Sequence, residues 1–137
     1  MTDADLPLSK IVVLVVEDDP TLRSTVASLF REPRFIVKTA AGGHEAVEII
    51  KTFHIDLVLT DETMPRGTGS ELVHAIEKLV HTAALDPIPK VILMTGYSSD
   101  AVNELVAKQM VTLIQKPFSK KAIFSLIDGL FGGQGAE

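Results

Sequence analysis

With 137 residues the chain has the size of one domain, able to bury roughly two thirds of its unfolded surface. Hydrophobic residues at 46% and charged residues at 23% form an ordinary globular balance, which sets disorder aside. A formal charge of −5 argues against non-specific nucleic-acid binding, the lack of cysteine excludes disulfide and thiolate chemistry, and no apolar run approaches the length of a membrane span.

Residues 1–9 are polar, with no basic start to a secretory signal, and read as a loose tail. Ile11 to Val16 is continuously apolar, as expected for a central strand covered on both faces, and it ends in Glu17-Asp18-Asp19. Asp19-Pro20 reads as an N-cap with proline at the first helical position, and Leu22, Val26, Leu29 and Phe30 follow at helical spacing. Phe35 to Ala40 is a less apolar strand, nearer an edge. A helix is expected from about His44 to Phe53 with Ala46, Val47, Ile50 and Phe53 inward. Ile55 to Thr60 is the third strand and delivers Asp61 at its end, ahead of a Pro65–Gly69 loop. A helical stripe of Leu72, Val73, Ile76, Leu79 and Val80 spans about Ser70 to Thr82, before a proline-stiffened loop at 86–89. Val91 to Met94 is the fourth strand, ending at Thr95-Gly96. Ser98 or Ser99 caps a helix with Val102, Leu105 and Val106. Val111 to Ile114 is the fifth strand, leading to Lys116-Pro117. Ser119 caps a last helix with Ile123, Leu126, Ile127 and Leu130 inward, which ends at Gly132-Gly133.

Strict strand–helix alternation with short links implies an α/β fold: a doubly wound parallel sheet with right-handed crossovers and helices on both faces. A ligand crevice in such a fold lies at the carboxyl ends of the strands. That rim would hold Glu17, Asp18, Asp61, Thr95 and Lys116. Crowded carboxylates need a proton or a cation, and an all-oxygen donor set favours a hard ion such as Mg²⁺. A metal-bound carboxylate beside a lysine is also a phosphoryl site, in which the carboxylate attacks to form an acyl phosphate.

Each residue has a plainer reading. Glu17-Asp18-Asp19 alone is a solvated strand end, and Asp19 is assigned to capping in any case. Asp61 alone is a turn acid, Lys116 a surface lysine and Thr95 a strand-end β-former. Gly67-Thr68-Gly69 lacks the third glycine of a dinucleotide fingerprint, and the four histidines are scattered. Met64 reads as a residue that packs or shapes its loop.

Four segments taken together carry a specific resemblance. They are Val15-Val16-Glu17-Asp18-Asp19-Pro20, Asp61-x-x-Met64-Pro65-x-x-x-Gly69, Met94-Thr95-Gly96 and Lys116-Pro117-Phe118. In this order, each at a strand end, they make the chain similar to a response-regulator receiver domain of two-component signalling, over about residues 10–131, with 132–137 as a tail. The resemblance implies a flavodoxin-like five-stranded sheet of order 2-1-3-4-5. It implies that Asp61 accepts a phosphoryl group from a histidine kinase or phosphotransfer protein. Glu17, Asp18, Asp61 and the Thr63 carbonyl would hold Mg²⁺, Lys116 would contact phosphoryl oxygens, and Thr95 would be a switch hydroxyl. It also implies a cis Lys116-Pro117 bond.

The chain departs from the family pattern in places. Leu113 stands where an aromatic relay residue is common, with Tyr97 as a candidate substitute. Gln109-Met110 replaces a small pair before the fifth strand. The expected output is a phosphorylation-controlled binding face on the helix from about Asp100 to Ala107, the fifth strand and the last helix, read by a downstream protein target. The expected setting is cytoplasmic, without nucleic-acid or membrane contact, as a monomer or a weak phosphorylation-linked dimer. The chain reads either as a complete single-domain regulator or as the terminal receiver of a hybrid sensor kinase. A phosphate-independent interaction module is the alternative. A phosphohydrolase reading is weaker, because Thr63 stands where a second aspartate would act as general acid.

Overall fold

The computed structural model describes residues 10–64, 67–82, 89–96 and 99–131. Both expected tails, Tyr97 and Ser98 lie outside these residues. The element order is β1 (Ile11–Val16), α1 (Pro20–Ser28), β2 (Phe35–Ala40), α2 (Gly43–Thr52), β3 (Leu57–Asp61), α3 (Gly69–His81), β4 (Lys90–Thr95), α4 (Asp100–Ala107), β5 (Thr112–Gln115) and α5 (Lys120–Leu130). All five strands are parallel and lie in the order β2-β1-β3-β4-β5. The doubly wound expectation is therefore met, with β2 at an edge.

Period-two alternation explains the two core layers. Leu14, Val16 and Val58 face one side and meet Ala46 and Ile50 of α2, Leu72, Val73 and Ile76 of α3, and Leu105 of α4. Val13, Val15, Leu57, Leu59, Ile92 and Met94 face the other side and meet Phe30, just after α1, and Ile123 and Ile127 of α5. Phe30, Phe35 and Phe124 interlock there, Phe30 and Phe35 meeting edge to face at 5.1 Å. Arg34 lies over Phe35 and Phe124 and pairs with Asp128 at 3.0 Å, tying the start of β2 to the end of α5.

The expected helix caps are present. Asp19 accepts from the Thr21 and Leu22 amides, Ser99 from Val102 and Ser119 from Ala122. Several boundaries and faces differ from the sequence reading. The third strand runs from Leu57 to Asp61, not from Ile55, and the fifth begins at Thr112. Leu22, Phe53 and Val106 are 46%, 49% and 40% exposed, not inward. Leu22 sits in the first turn of α1, a helix without a fully buried residue. Phe53 takes an extended conformation at the end of α2, which turns it out of helical phase, and Lys38 Nζ lies 3.9 Å from its ring centre. Val106 belongs to the last turn of the short helix α4.

The Gln109-Met110 departure has a clear local structure. The Met110 amide donates to the Leu105 carbonyl and the Gln109 amide to that of Val106, the paired bonds of a Schellman ending. Gln109 takes the left-handed position, at φ 59°, where glycine is usual.

Candidate phosphoryl-transfer and cation site

Strand register assembles the rim. Val16 pairs with Thr60, so the next residues, Glu17 and Asp61, leave the sheet side by side. Asp61 pairs with Met94 and Thr95 with Gln115, which sets Thr95 and then Lys116 just beyond the same edge. Glu17, Asp61 and Thr95 are 2%, 5% and 7% exposed. Burying hydrophilic groups at the ends of central strands is costly unless they find partners.

Lys116 partners Asp61, while the three acids of the rim crowd one another. One carboxylate oxygen each from Glu17, Asp18 and Asp61 lies within 4.8 Å of the others, Asp18 being the most exposed of the three. Lys116 Nζ stands 2.8 Å from Asp61 Oδ1, and its amide donates to the Thr95 carbonyl at 2.9 Å. The Lys116-Pro117 bond is cis, as the resemblance implied. Burial lifts the Glu17 carboxyl from 4.5 to about 7, against the Asp19 amide bonded to it; the Asp61 charge and hydrogen bonding to Asp18 and Asp61 reinforce the rise. The donor set is all oxygen and crowded with negative charge, which fits a hard divalent cation. Thr63 is exposed and follows Asp61 on the same loop. Met64 is buried in the α2–α3 core layer and lines a groove of about 450 Å³ that opens beside Asp18, between Gly42, His44 and Gly67. Leu113 is partly buried on β5, opposite Leu93 of β4.

A sequence profile of the response regulator receiver domain matches residues 13–128. The chain belongs to the response regulator receiver domain family. It is a receiver domain of two-component signalling. Hybrid signal transduction histidine kinase D of Dictyostelium discoideum is 32% identical over 122 residues, covering 89% of this chain and 8% of the kinase. The chain thus spans a small part of that relative's length. A CheY-like response regulator receiver domain protein from Methanospirillum hungatei JF-1 superposes with a TM-score of 0.79 at 24% identity, covering 93% of this chain and 98% of that one. A chain of the co-crystal structure of the Saccharomyces cerevisiae histidine phosphotransfer signaling protein Ypd1 with the receiver domain of its downstream response regulator Ssk1 superposes with a TM-score of 0.77. It shares 23% identity and covers 88% of each chain. Among the described residues, no helix is long and apolar enough to cross a membrane.

The receiver's rim also holds residues that the motifs do not point to. Arg23, one turn into α1, donates from Nη1 to the Glu17 carbonyl at 2.9 Å and so fixes the backbone of the acidic pair. Glu62, next to Asp61, is 6% exposed and bonded to Ser70 of α3. Neither contact has a local sequence signature. The capping box of Thr68 and Glu71 does, in its T-x-x-E spacing.

Proposed function

We propose that Asp61 is the phosphoacceptor of this receiver and takes its phosphoryl group from a phosphohistidine on a histidine kinase or phosphotransfer protein. The observation that carries the reading is the 2.8 Å contact of Lys116 Nζ with Asp61 Oδ1, inside the cluster with Glu17 and Asp18. An Asp61 oxygen attacks phosphorus, a P–O bond forms as the P–N bond breaks, and the imidazole nitrogen leaves with the electron pair. Lys116 then shifts its charge from a bare carboxylate to the phosphoryl oxygens. Glu17, Asp18, Asp61 and the Thr63 carbonyl would hold Mg²⁺, which when bound supplies charge neutralisation across carboxylates and phosphoryl group. Thr95 donates its hydroxyl to the phosphoryl group as the switch; Leu113 holds the position where an aromatic relay is common, and Tyr97 is the candidate substitute for it.

Residues 10–131 form the signalling unit, a stoichiometric acceptor and not a turnover enzyme, since Thr63 offers no general acid two residues after Asp61. Its output is a population shift on the face of α4, β5 and α5, read by a downstream protein in the cytoplasm, and the receiver itself acts as a monomer or a weak phosphorylation-linked dimer. The test is transfer of labelled phosphoryl from a phosphorylated histidine phosphotransfer protein. Asp61→Asn should fold and take no label, and wild type should take none when EDTA is present during the transfer. A labelled Asp61→Asn protein moves the acceptor elsewhere.

A further inference from the structure

We infer that Glu62 and Ser70 are positioning residues: together they pin the base of the loop that follows Asp61 and so set the affinity of the cation site. The inference rests on the Mg²⁺ reading of the Glu17, Asp18 and Asp61 cluster and adds two residues to it.

Glu62 follows the proposed acceptor directly, and its carboxylate is buried. A buried carboxylate needs strong donors, and this one has two, the amide and the hydroxyl of a single residue. Glu62 Oε1 accepts from the Ser70 amide at 2.7 Å and from Ser70 Oγ at 2.9 Å, while Oε2 accepts from the same hydroxyl at 3.0 Å. Ser70 is the second residue of α3, so the carboxylate also sits at the positive end of that helix. The Glu62 backbone is engaged on both sides: its amide donates to the Met94 carbonyl, and its carbonyl accepts from the Gly69 amide, each at 3.0 Å.

Gly69 shows how closely the pieces approach. A Cβ there would stand 2.6 Å from Leu93 Cδ1 and 2.7 Å from the Asp61 carbonyl oxygen. The first turn of α3 therefore rests on the Asp61–Glu62 peptide itself. The chain leaves this point at Thr63 and returns to it at Thr68, whose capping box with Glu71 braces the returning end. Glu62–Ser70 is a side-chain bond that joins the departing end to the returning one across a separation of 8 residues. Burial alone would be met by leucine at position 62. A carboxylate aimed at a helix amide fixes geometry instead. Glu62 is absent from the group of acids able to share an ion, so it acts through the loop and not as a ligand.

The test uses the full chain and reads Mg²⁺ affinity from the shift of Tm across a MgCl₂ series, without reference to labelling. Outer-shell partners of metal ligands typically matter by about 10- to 100-fold in affinity. Glu62→Leu should weaken Mg²⁺ at the lower end of that range, about 10-fold, and Ser70→Ala should weaken it in the same direction by less. Glu62→Gln keeps an acceptor for the Ser70 amide and should restore affinity close to wild type. A merely structural role lowers the Tm without Mg²⁺ and leaves the affinity unmoved, and that result overturns the inference. Should Glu62→Leu fail to fold, Ser70→Ala decides alone, and wild-type affinity in it overturns the inference. Wild-type protein that binds Mg²⁺ and takes no phosphoryl group overturns the acceptor reading but leaves this inference standing. Wild-type protein without any Mg²⁺ response overturns this inference.

Discussion

Glu17→Gln removes one ionisable group from the acid cluster, and the structure sets how stability should respond. Two unit charges about 4.8 Å apart repel by about 3–4 kcal/mol at an effective dielectric near 20. Lys116 offsets part of this from 2.8 Å on Asp61. Burial first, and the neighbouring acids after it, raise Glu17 from 4.5 to about 7. Between these values the folded chain keeps a proton that the unfolded chain has released. The stabilisation from Glu17 is therefore complete below about 4.5 and is lost as pH rises through about 7. At about 1.4 kcal/mol per pKa unit the loss has a ceiling of about 3–4 kcal/mol. Solvent screening at the exposed Asp18 mouth reduces the expected loss to about 1–2 kcal/mol. The assay is urea unfolding of wild type and Glu17→Gln in EDTA, from about pH 5 to about pH 8. The variant should gain on wild type as pH rises towards about 7 and hold a level lead above that value. Parallel stability curves would refute the crowded-acid account. Added Mg²⁺ should close the gap at the alkaline end, where the ion meets no proton on Glu17.

Three further substitutions test separate parts of the structure. Gly69→Ala forces a methyl group to 2.6 Å from Leu93 Cδ1 and 2.7 Å from the Asp61 carbonyl. It should cost about 1–3 kcal/mol in urea unfolding, and a stabilised variant would show that α3 can move off the Asp61–Glu62 peptide. Gln109→Gly relieves a left-handed residue at φ 59° and should raise stability by about 1 kcal/mol; a lower urea midpoint would contradict this. Asp18→Asn should weaken Mg²⁺ binding in a Tm titration while stability in EDTA stays level or rises, and a clear loss of stability in EDTA would count against repulsion among the acids.

The site was legible where an apolar run ends in a group with no place in a core. Asp61 after Leu57–Thr60 and Lys116 after Ile114 are such ends, and parallel alternation then sends them to one rim. Capping was legible too, because Asp19, Ser99 and Ser119 act within three residues of themselves. The role of Glu62 was not, since its partner stands 8 residues away across a loop and an acid after Asp61 reads as solvated. Arg23 likewise acts on a backbone carbonyl of another element, which no residue pattern announces. Leu22 and Phe53 misled because helical spacing gives a face without giving the point where a helix stops or how deep its first turn sits. The shift of the fifth strand to Thr112 follows from the Schellman ending at Gln109, a backbone state that glutamine does not advertise.

The most direct measurement is the position of the phosphoryl group itself. The protein is mixed with a phosphorylated histidine phosphotransfer protein in Mg²⁺ buffer and quenched with borohydride, which reduces an acyl phosphate to an alcohol. The digest is then mapped by mass spectrometry. The account predicts a reduced residue at position 61, dependent on Mg²⁺. Reduction at Asp18 or Asp19, or an unmodified digest from a donor that has demonstrably discharged to another receiver, would contradict it.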